Sequence, residues 1–137
     1  MVDRQRMLFP SRAKILLVED DLPTLELLVL FLGRFYSILE CRDGSSALAA
    51  LSENSDLALV VTDLRMPGVT GYHILRRADE ISRRSGRTIP TIVLTGHGTP
   101  EDEQEARALG VTCFQRKPID LKALRETIDR LLATAGK

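Results

Sequence analysis

The chain has 137 residues, enough for one domain that buries a substantial hydrophobic core. Hydrophobic residues make up 44% and charged residues 28%, which is typical of a soluble globular protein. The formal net charge of zero argues against a general binder of nucleic acids or membrane surfaces. No apolar run is long enough to span a membrane, and Cys41 and Cys113 lack metal-ligand or CxxC spacing, so we expect a reduced, cytoplasmic setting.

The sequence shows no internal repeat, linker or low-complexity segment, which predicts a single domain. We place that domain at residues 14–134, between an N-terminal tail at 1–13 and a C-terminal tail at 135–137. The N-terminal tail is polar and basic, and it lacks the apolar core of a signal peptide.

Short apolar runs alternate with helical patterns along the whole domain. The predicted strands are residues 14–18, 35–41, 57–62, 90–95 and 111–115. The predicted helices are residues 22–32, 45–52, 71–84, 99–110 and 119–133. The fourth helix has the clearest start, because Thr99-Pro100-Glu101 offers an N-cap, a proline at the first position and an acidic first turn. Five strands alternating with five helices through short connections predict a parallel sheet covered by helices on both faces.

Asp63 lies at the end of the third predicted strand, where the apolar run Leu59-Val60-Val61 gives way to the turn Met66-Pro67-Gly68. The carboxyl ends of the strands are the edge where open α/β sheets bind ligands. By itself, this aspartate could equally well cap the helix that follows it.

Further polar side chains occur at the same predicted edge. Glu19 and Asp20 follow the first strand, Thr95 ends the fourth, and Lys117 follows the fifth. Carboxylates packed together raise one another's pKa, and a divalent cation or a nearby ammonium relieves the repulsion. Hard oxygen ligands favour Mg²⁺ over zinc.

Each of these side chains also has a plainer interpretation. Glu19 and Asp20 would serve as caps of the first helix, where negative charge is favoured. Thr95 would be a strand-end hydroxyl bonded to nearby backbone, and Lys117 a solvated loop lysine.

Four short segments, taken together and in this order, resemble the receiver (CheY-like) domain of bacterial two-component response regulators. They are Val18-Glu19-Asp20-Asp21, Thr62-Asp63-Leu64-Arg65-Met66-Pro67-Gly68, Leu94-Thr95-Gly96 and Lys117-Pro118. The resemblance covers about residues 14–133. It implies an α/β fold of three αβα layers, with a five-stranded parallel sheet of (βα)5 flavodoxin-like topology and strand order 2-1-3-4-5.

The resemblance assigns the carboxylates to phosphoryl transfer. Asp63 would be the phosphoacceptor, supplied by a sensor histidine kinase, a histidine phosphotransfer protein or a small acyl phosphate. Asp63 and Asp20 would bind Mg²⁺ directly and Glu19 through water, with the backbone carbonyl of Arg65 as a further ligand.

The resemblance also assigns a switch. Thr95 would bind one phosphoryl oxygen and follow it, while Lys117 pairs with another. Phe114, three residues before Lys117, takes the position of the switch aromatic residue. Tyrosine is frequent at this position in the family, and Phe114 lacks its hydroxyl. A role as an ordinary core phenylalanine stays open. We further hypothesise that Arg65 and His97 screen the aspartyl phosphate from water and so modulate its lifetime; for His97 alone, a solvated loop position is the simpler interpretation.

The first predicted helix is apolar almost all round, and one helix cannot bury every face against a sheet. The family register would turn inward the stripe Thr24, Leu27, Leu28 and Phe31. We expect the remaining apolar residues to dock the phosphotransfer partner: Leu22, Leu25, Val29, Leu30 and Leu32. The resemblance also implies a downstream target on the face of helix four, strand five and helix five, and leaves a homodimer through that face open.

We expect a signalling switch that catalyses only its own Mg²⁺-dependent phosphorylation and dephosphorylation, not an enzyme. The predicted domain reaches almost to the last residue, so we expect no attached output domain, although a receiver cut from a longer chain stays open. A pseudo-receiver that takes no phosphate is the main alternative, and the presence of every expected site residue opposes it. The run Glu19-Asp20-Asp21-Leu22 lacks the aspartate spacing of aspartyl-phosphate phosphatases, and no glycine-rich dinucleotide loop follows the first strand.

Overall fold

The computed structural model describes residues 12–135, so most of the predicted N-terminal tail and the last two residues lie outside the described part. The strands are β1 Lys14–Val18, β2 Ser37–Cys41, β3 Leu57–Thr62, β4 Thr91–Thr95 and β5 Cys113–Arg116. The helices are α1 Leu22–Leu32, α2 Gly44–Glu53, α3 Gly71–Ser85, α4 Pro100–Ala108 and α5 Leu121–Ala135. Within residues 12–135, none of these helices combines the length and the apolar character needed to cross a membrane.

The five strands form one parallel sheet in the order β2-β1-β3-β4-β5, which confirms the predicted topology. Both β1 and β3 lie inside the sheet with a neighbour on each side. Their side chains are buried on both faces, which explains why they are almost continuously apolar in the sequence. Because Val18 pairs with Thr62, the residues that follow these two strands emerge side by side.

Helices cover both faces of the sheet and create two main cores. Successive side chains of β1 alternate between them. Ile15 and Leu17 join the core beneath α1 and α5, whereas Leu16 and Val18 join the core beneath α2 and α3. This arrangement confirms the predicted three-layer architecture.

The second strand is shorter than predicted, because it begins at Ser37 and not at residue 35. The N–H groups of Phe35 and Tyr36 donate to the carbonyl of Leu32, at 2.9 Å and 3.0 Å. These two residues therefore continue the turn at the end of α1, although both are aromatic and favour strands by propensity.

The fifth strand also begins later, at Cys113 and not at residue 111. The N–H of Val111 still donates to the carbonyl of Ala106 at 3.0 Å, and Gly110 turns the chain with a φ of 91°. Helix α5 extends to Ala135, two residues beyond the predicted end.

The prediction for the buried face of α1 is correct for Leu28 and Phe31, which join the core, and wrong for other residues. Its buried residues are Leu25, Leu28 and Leu32. Leu27, predicted to face inward, is 50% exposed. Leu25 and Leu32, predicted to dock a partner, are buried in the core. Both stripes of the helix are apolar, so hydrophobic pattern alone does not select the one that packs on the sheet. The large hydrophobic side chains left exposed on this helix are Leu22, Leu27 and Leu30.

Candidate functional site

Three carboxylates meet at the carboxyl edge of the sheet, and we call them the carboxylate cluster: Glu19, Asp20 and Asp63. The first two follow β1 and the third follows β3. One oxygen from each carboxylate lies within 4.8 Å of the others. The parallel pairing of β1 with β3 explains this convergence, because both strands end at the same level.

Other residues perform the capping that the plainer interpretations assigned to these acids. Asp21 is the N-cap of α1 and accepts the N–H of Thr24 at 3.2 Å. Thr70 is the N-cap of α3, so Asp63 does not cap that helix. The carboxylates of the cluster are therefore not the N-caps of these two helices.

Lys117 reaches the cluster from the end of β5. Its Nζ lies 2.6 Å from Oε1 of Glu19 and 3.2 Å from Oδ2 of Asp63. The backbone N–H of Lys117 donates to the carbonyl of Thr95 at 2.8 Å, which fixes the residue beside the end of β4. The side chain is only 22% exposed, so Lys117 is not a solvated loop lysine.

Burial and charge act in opposite directions on this ion pair. Burial raises the pKa of the Glu19 carboxyl above its ordinary value, although the hydrogen bond from Lys117 opposes the shift. Burial by itself lowers the pKa of the Lys117 ammonium, but the hydrogen bond to Glu19 and the charges of Asp63 and Glu19 outweigh it and raise that pKa. The ammonium is therefore positively charged at neutral pH.

We define the acceptor loop as residues 63–70, which follow β3. It orients the Asp63 carboxylate, whose Oδ1 accepts the N–H of Leu64 at 2.7 Å. Gly71 allows the start of α3 to contact this loop, because a Cβ there would lie 2.3 Å from the carbonyl oxygen of Asp63. The Asp63 side chain is 11% exposed, so the carboxylate is held firmly yet remains accessible.

The donor set of the carboxylate cluster fits a Mg²⁺ ion. All of its ligand atoms are carboxylate oxygens, which hard divalent cations prefer. Glu19 is buried and Asp20 is exposed, so the cluster opens towards solvent on one side. Lys117 supplies one positive charge against three carboxylates, and a divalent cation would balance the remainder.

A family model for the response regulator receiver domain matches residues 15–129. The chain belongs to this family. The predicted resemblance is thereby confirmed.

Two curated regulators illustrate the relationship. The transcriptional regulatory protein GlrR of Escherichia coli K12 is 35% identical over 121 residues, which cover 88% of this chain and 26% of that protein. The transcriptional regulatory protein CiaR of Streptococcus pneumoniae is 32% identical over 124 residues, which cover 90% of this chain and 53% of that protein. This receiver chain thus spans about a quarter (26%) and about half (53%) of their lengths.

Solved receiver structures have the same fold. A response regulator receiver domain protein from Clostridium thermocellum has a TM-score of 0.78 and 28% identity, with 89% of this chain and 95% of that chain covered. A response regulator receiver protein from Pseudomonas putida has a TM-score of 0.77 and 28% identity, with 88% and 98% covered.

The predicted switch residues of the receiver domain lie near the carboxyl edge of its sheet. Thr95 ends β4 and is 1% exposed. Phe114 is half-buried in β5 and packs against the core that contains Leu64. Its ring lies so close to the loop after β4 that a Cβ at Gly98 would be 2.9 Å from the ring carbon Cζ. His97 is exposed in that same loop.

The Arg65 side chain pairs with a carboxylate other than that of Asp63. Its Nη2 lies 2.7 Å and 2.8 Å from the two carboxylate oxygens of Asp102, in the first turn of α4. Among residues 12–135, the guanidinium forms no hydrogen bond or ion pair with Asp63. Sequence analysis missed this partner, whose only signal was the acidic first turn of α4.

Two further groups bind the same carboxylate in this receiver domain. The hydroxyl of Tyr72 donates to Oδ1 of Asp102 at 2.9 Å, and the N–H of Thr99 donates to Oδ2 at 3.1 Å. The N–H of Thr99, the Arg65 guanidinium and the Tyr72 hydroxyl hold the pKa of Asp102 well below its usual range. Burial, together with the hydrogen bond to Asp102, raises the pKa of Tyr72 to about 12.

Proposed function

We propose that Asp63 accepts a phosphoryl group from the phosphohistidine of a sensor histidine kinase or a histidine phosphotransfer protein. The observation that carries the proposal is the orientation of its carboxylate, with Oδ1 on the N–H of Leu64 at 2.7 Å and Oδ2 on Nζ of Lys117 at 3.2 Å. In this proposal the chain is a cytoplasmic signalling switch. Its only catalysis is its own Mg²⁺-dependent phosphorylation and dephosphorylation.

The chemistry of the transfer follows from these groups. A carboxylate oxygen of Asp63 forms a bond to phosphorus while the P–N bond to the donor imidazole breaks, and the bonding electron pair leaves with the nitrogen. The ammonium of Lys117 lies beside the acceptor oxygen, where it favours the negative charge of the transferred group. Phosphoryl transfer depends mainly on positioning and charge neutralisation, so a fixed carboxylate and a partly buried ammonium are the contributions that the chain makes. The carboxylate cluster and the backbone carbonyl of Arg65 would hold Mg²⁺, which would supply positive charge to offset the negative charge of the phosphoryl group.

The proposed switch begins at Thr95. Its hydroxyl binds a phosphoryl oxygen, and Phe114 changes its burial when the loop between β4 and α4 follows. The contact between the Phe114 ring and the backbone at Gly98 supports this coupling, because movement of that loop changes the space around the ring. Arg65 and His97 are proposed to modulate phosphoryl lifetime, since each lies two residues after a site residue.

The proposed partners use two different faces. The phosphotransfer partner docks on α1 at a shallow groove of about 300 Å³ that includes Leu22, Val29 and Leu30. Leu25 is excluded from the contact set because it belongs to the core. The face formed by α4, β5 and α5 binds a downstream protein. A homodimer through the same face stays a prediction. No direct contact with nucleic acid is proposed.

The test is phosphorylation by acetyl phosphate with Mg²⁺, read by intact mass. We expect the wild-type chain to gain one phosphoryl group, and Asp63→Ala to gain none. Asp56→Ala is the matched control, because Asp56 precedes β3 at the opposite edge of the sheet and its side chain is 69% exposed. We expect this variant to be phosphorylated like the wild type.

Each alternative result has a definite meaning. A mass gain in Asp63→Ala would show that the acceptor is another residue. No gain in the wild-type chain, from either acetyl phosphate or a phosphohistidine donor, would favour the pseudo-receiver.

A further inference from the structure

Asp102 joins three elements of the structure through one carboxylate. It binds Arg65 of the acceptor loop, Tyr72 of α3 and the N–H of Thr99 at the start of α4. Its side chain is 10% exposed, whereas that of Arg65 is 57% exposed. The carboxylate is therefore fixed by protein groups, while the guanidinium remains open to solvent on its other side.

Another anion can compete with the Asp102 carboxylate for the Arg65 guanidinium. An ion pair with one well-solvated partner contributes little free energy, because water screens the attraction. The guanidinium also belongs to a residue whose backbone lies next to Asp63, since the backbone nitrogen of Arg65 is 3.4 Å from Oδ1 of Asp63. An arginine side chain is long and flexible enough to turn from one acidic group to the other.

A phosphoryl group on Asp63 would be the stronger attractor. It carries between one and about two negative charges and three acceptor oxygens, whereas Asp102 carries one charge. Guanidinium groups match the geometry of phosphoryl oxygens and bind them with paired N–H donors. Three other donors already occupy Asp63 in the unmodified protein: the N–H groups of Leu64 and Arg65 and the ammonium of Lys117.

We propose that Asp102 is a positioning residue that holds the Arg65 guanidinium off Asp63 in the resting protein and competes with the phosphoryl group for it afterwards. The inference rests on the proposed phosphorylation of Asp63. While Arg65 lies on the phosphoryl group, it obstructs the water that hydrolyses the acyl phosphate. While it lies on Asp102, the phosphoryl group is open to attack. Asp102 therefore shortens the lifetime of the phosphorylated state.

The test is the rate of phosphoryl loss, measured by intact mass after acetyl phosphate is removed. We expect Asp102→Asn to lengthen the half-life roughly fivefold, because the neutral amide holds the guanidinium less tightly than a carboxylate does, while its oxygen can still accept the N–H of Thr99. In an Arg65→Ala background, the same substitution should leave the half-life unchanged. A purely structural role of Asp102 would alter both backgrounds alike.

Glu103→Gln is the matched control, one residue further along α4. Glu103 pairs with Arg107 at 2.8 Å and Arg116 at 3.3 Å. Within the described residues it forms no hydrogen bond or ion pair with the acceptor loop. We expect its substitution to leave the half-life unchanged. An unchanged half-life in Asp102→Asn, or an equal change with and without Arg65, would overturn the inference.

A second measurement uses the wild-type chain and so does not depend on the folding of a variant. The Arg65 side-chain Nε–H resonance, assigned in the wild-type chain by through-bond correlation to the Arg65 backbone, should shift when acetyl phosphate is added. An unmoved resonance in fully phosphorylated protein would overturn the inference. Failure of the proposed function is distinct, because the wild-type chain would then gain no phosphoryl group at all.

Discussion

Single residues in this protein have roles that depend on their partners more than on their type. The structure gives different tasks to four of the aspartates at the carboxyl edge of the sheet. Asp21 caps α1, Asp20 and Asp63 belong to the carboxylate cluster, and Asp102 binds Arg65. The difference follows from the donors that each carboxylate meets, because an ionised carboxylate can only accept hydrogen bonds.

The depressed pKa of Asp102 predicts a pH-dependent contribution to stability. The ordinary pKa of this carboxyl is 3.8, and the folded state holds it lower, so the stabilisation is fully present above about pH 4 and is lost as the pH falls. We expect Asp102→Asn to lower the free energy of unfolding by about 1 kcal/mol at pH 7, and by less at pH 3. Urea denaturation of both proteins at the two pH values measures this. A difference independent of pH would show that the charge of Asp102 does not stabilise the fold.

At the scale of an element, α1 shows how one helix divides its apolar residues between the core and the surface. Leu25, Leu28 and Leu32 repeat at the three- and four-residue spacing that keeps them on one side. Leu30, only two residues from one of these core positions, is 75% exposed. The contrast allows docking to be tested separately from folding.

Aspartate substitutions at two leucines of α1 should have opposite outcomes. Leu25→Asp should lower the free energy of unfolding by about 3–5 kcal/mol, because it buries a charge where a core side chain was. Leu30→Asp should change it by less than about 1 kcal/mol and leave phosphorylation by acetyl phosphate unchanged. Phosphorylation by a histidine kinase that modifies the wild type should slow in Leu30→Asp. An unchanged rate with the kinase would contradict docking on α1.

At the scale of the whole molecule, the sheet brings distant residues to one edge. Glu19, Asp63 and Lys117 come from the ends of three different strands, and the ion pair between Glu19 and Lys117 joins residues 98 positions apart. Such a site forms only when the entire sheet is in register. Ligand binding at the cluster should therefore be coupled to global stability.

Mg²⁺ should stabilise the folded chain through the carboxylate cluster. At a concentration ten times its dissociation constant, a ligand that binds only the folded state adds about 1.4 kcal/mol. We expect Mg²⁺ to raise the thermal unfolding midpoint of the wild type, EDTA to reverse the effect, and Asp20→Ala to abolish it. Asp20 is exposed, so its substitution should leave the metal-free midpoint nearly unchanged. An equal rise in Asp20→Ala would place the ion elsewhere.

Features that depend on neighbours along the chain could be predicted from the amino-acid sequence. The predicted bounds of β1, β3 and α1 agree with the structure because continuous apolar runs, an N-terminal proline and acidic or glycine punctuation are local signals. The order of strands and helices then implied a parallel sheet, and the polar residue at each strand end implied one shared edge. The order of the strands is therefore sufficient to assign Asp63 and Lys117 to that edge.

Tertiary structure alone decided which side chains meet across elements. It selected the buried stripe of α1, since both stripes are apolar, and it excluded Leu25 from the docking surface. It also paired Arg65 with Asp102. These residues are 37 positions apart, and no pattern in the sequence predicts that they form a pair. Local patterns record burial and backbone preference, whereas a contact between distant side chains depends on how the helices pack on the completed sheet.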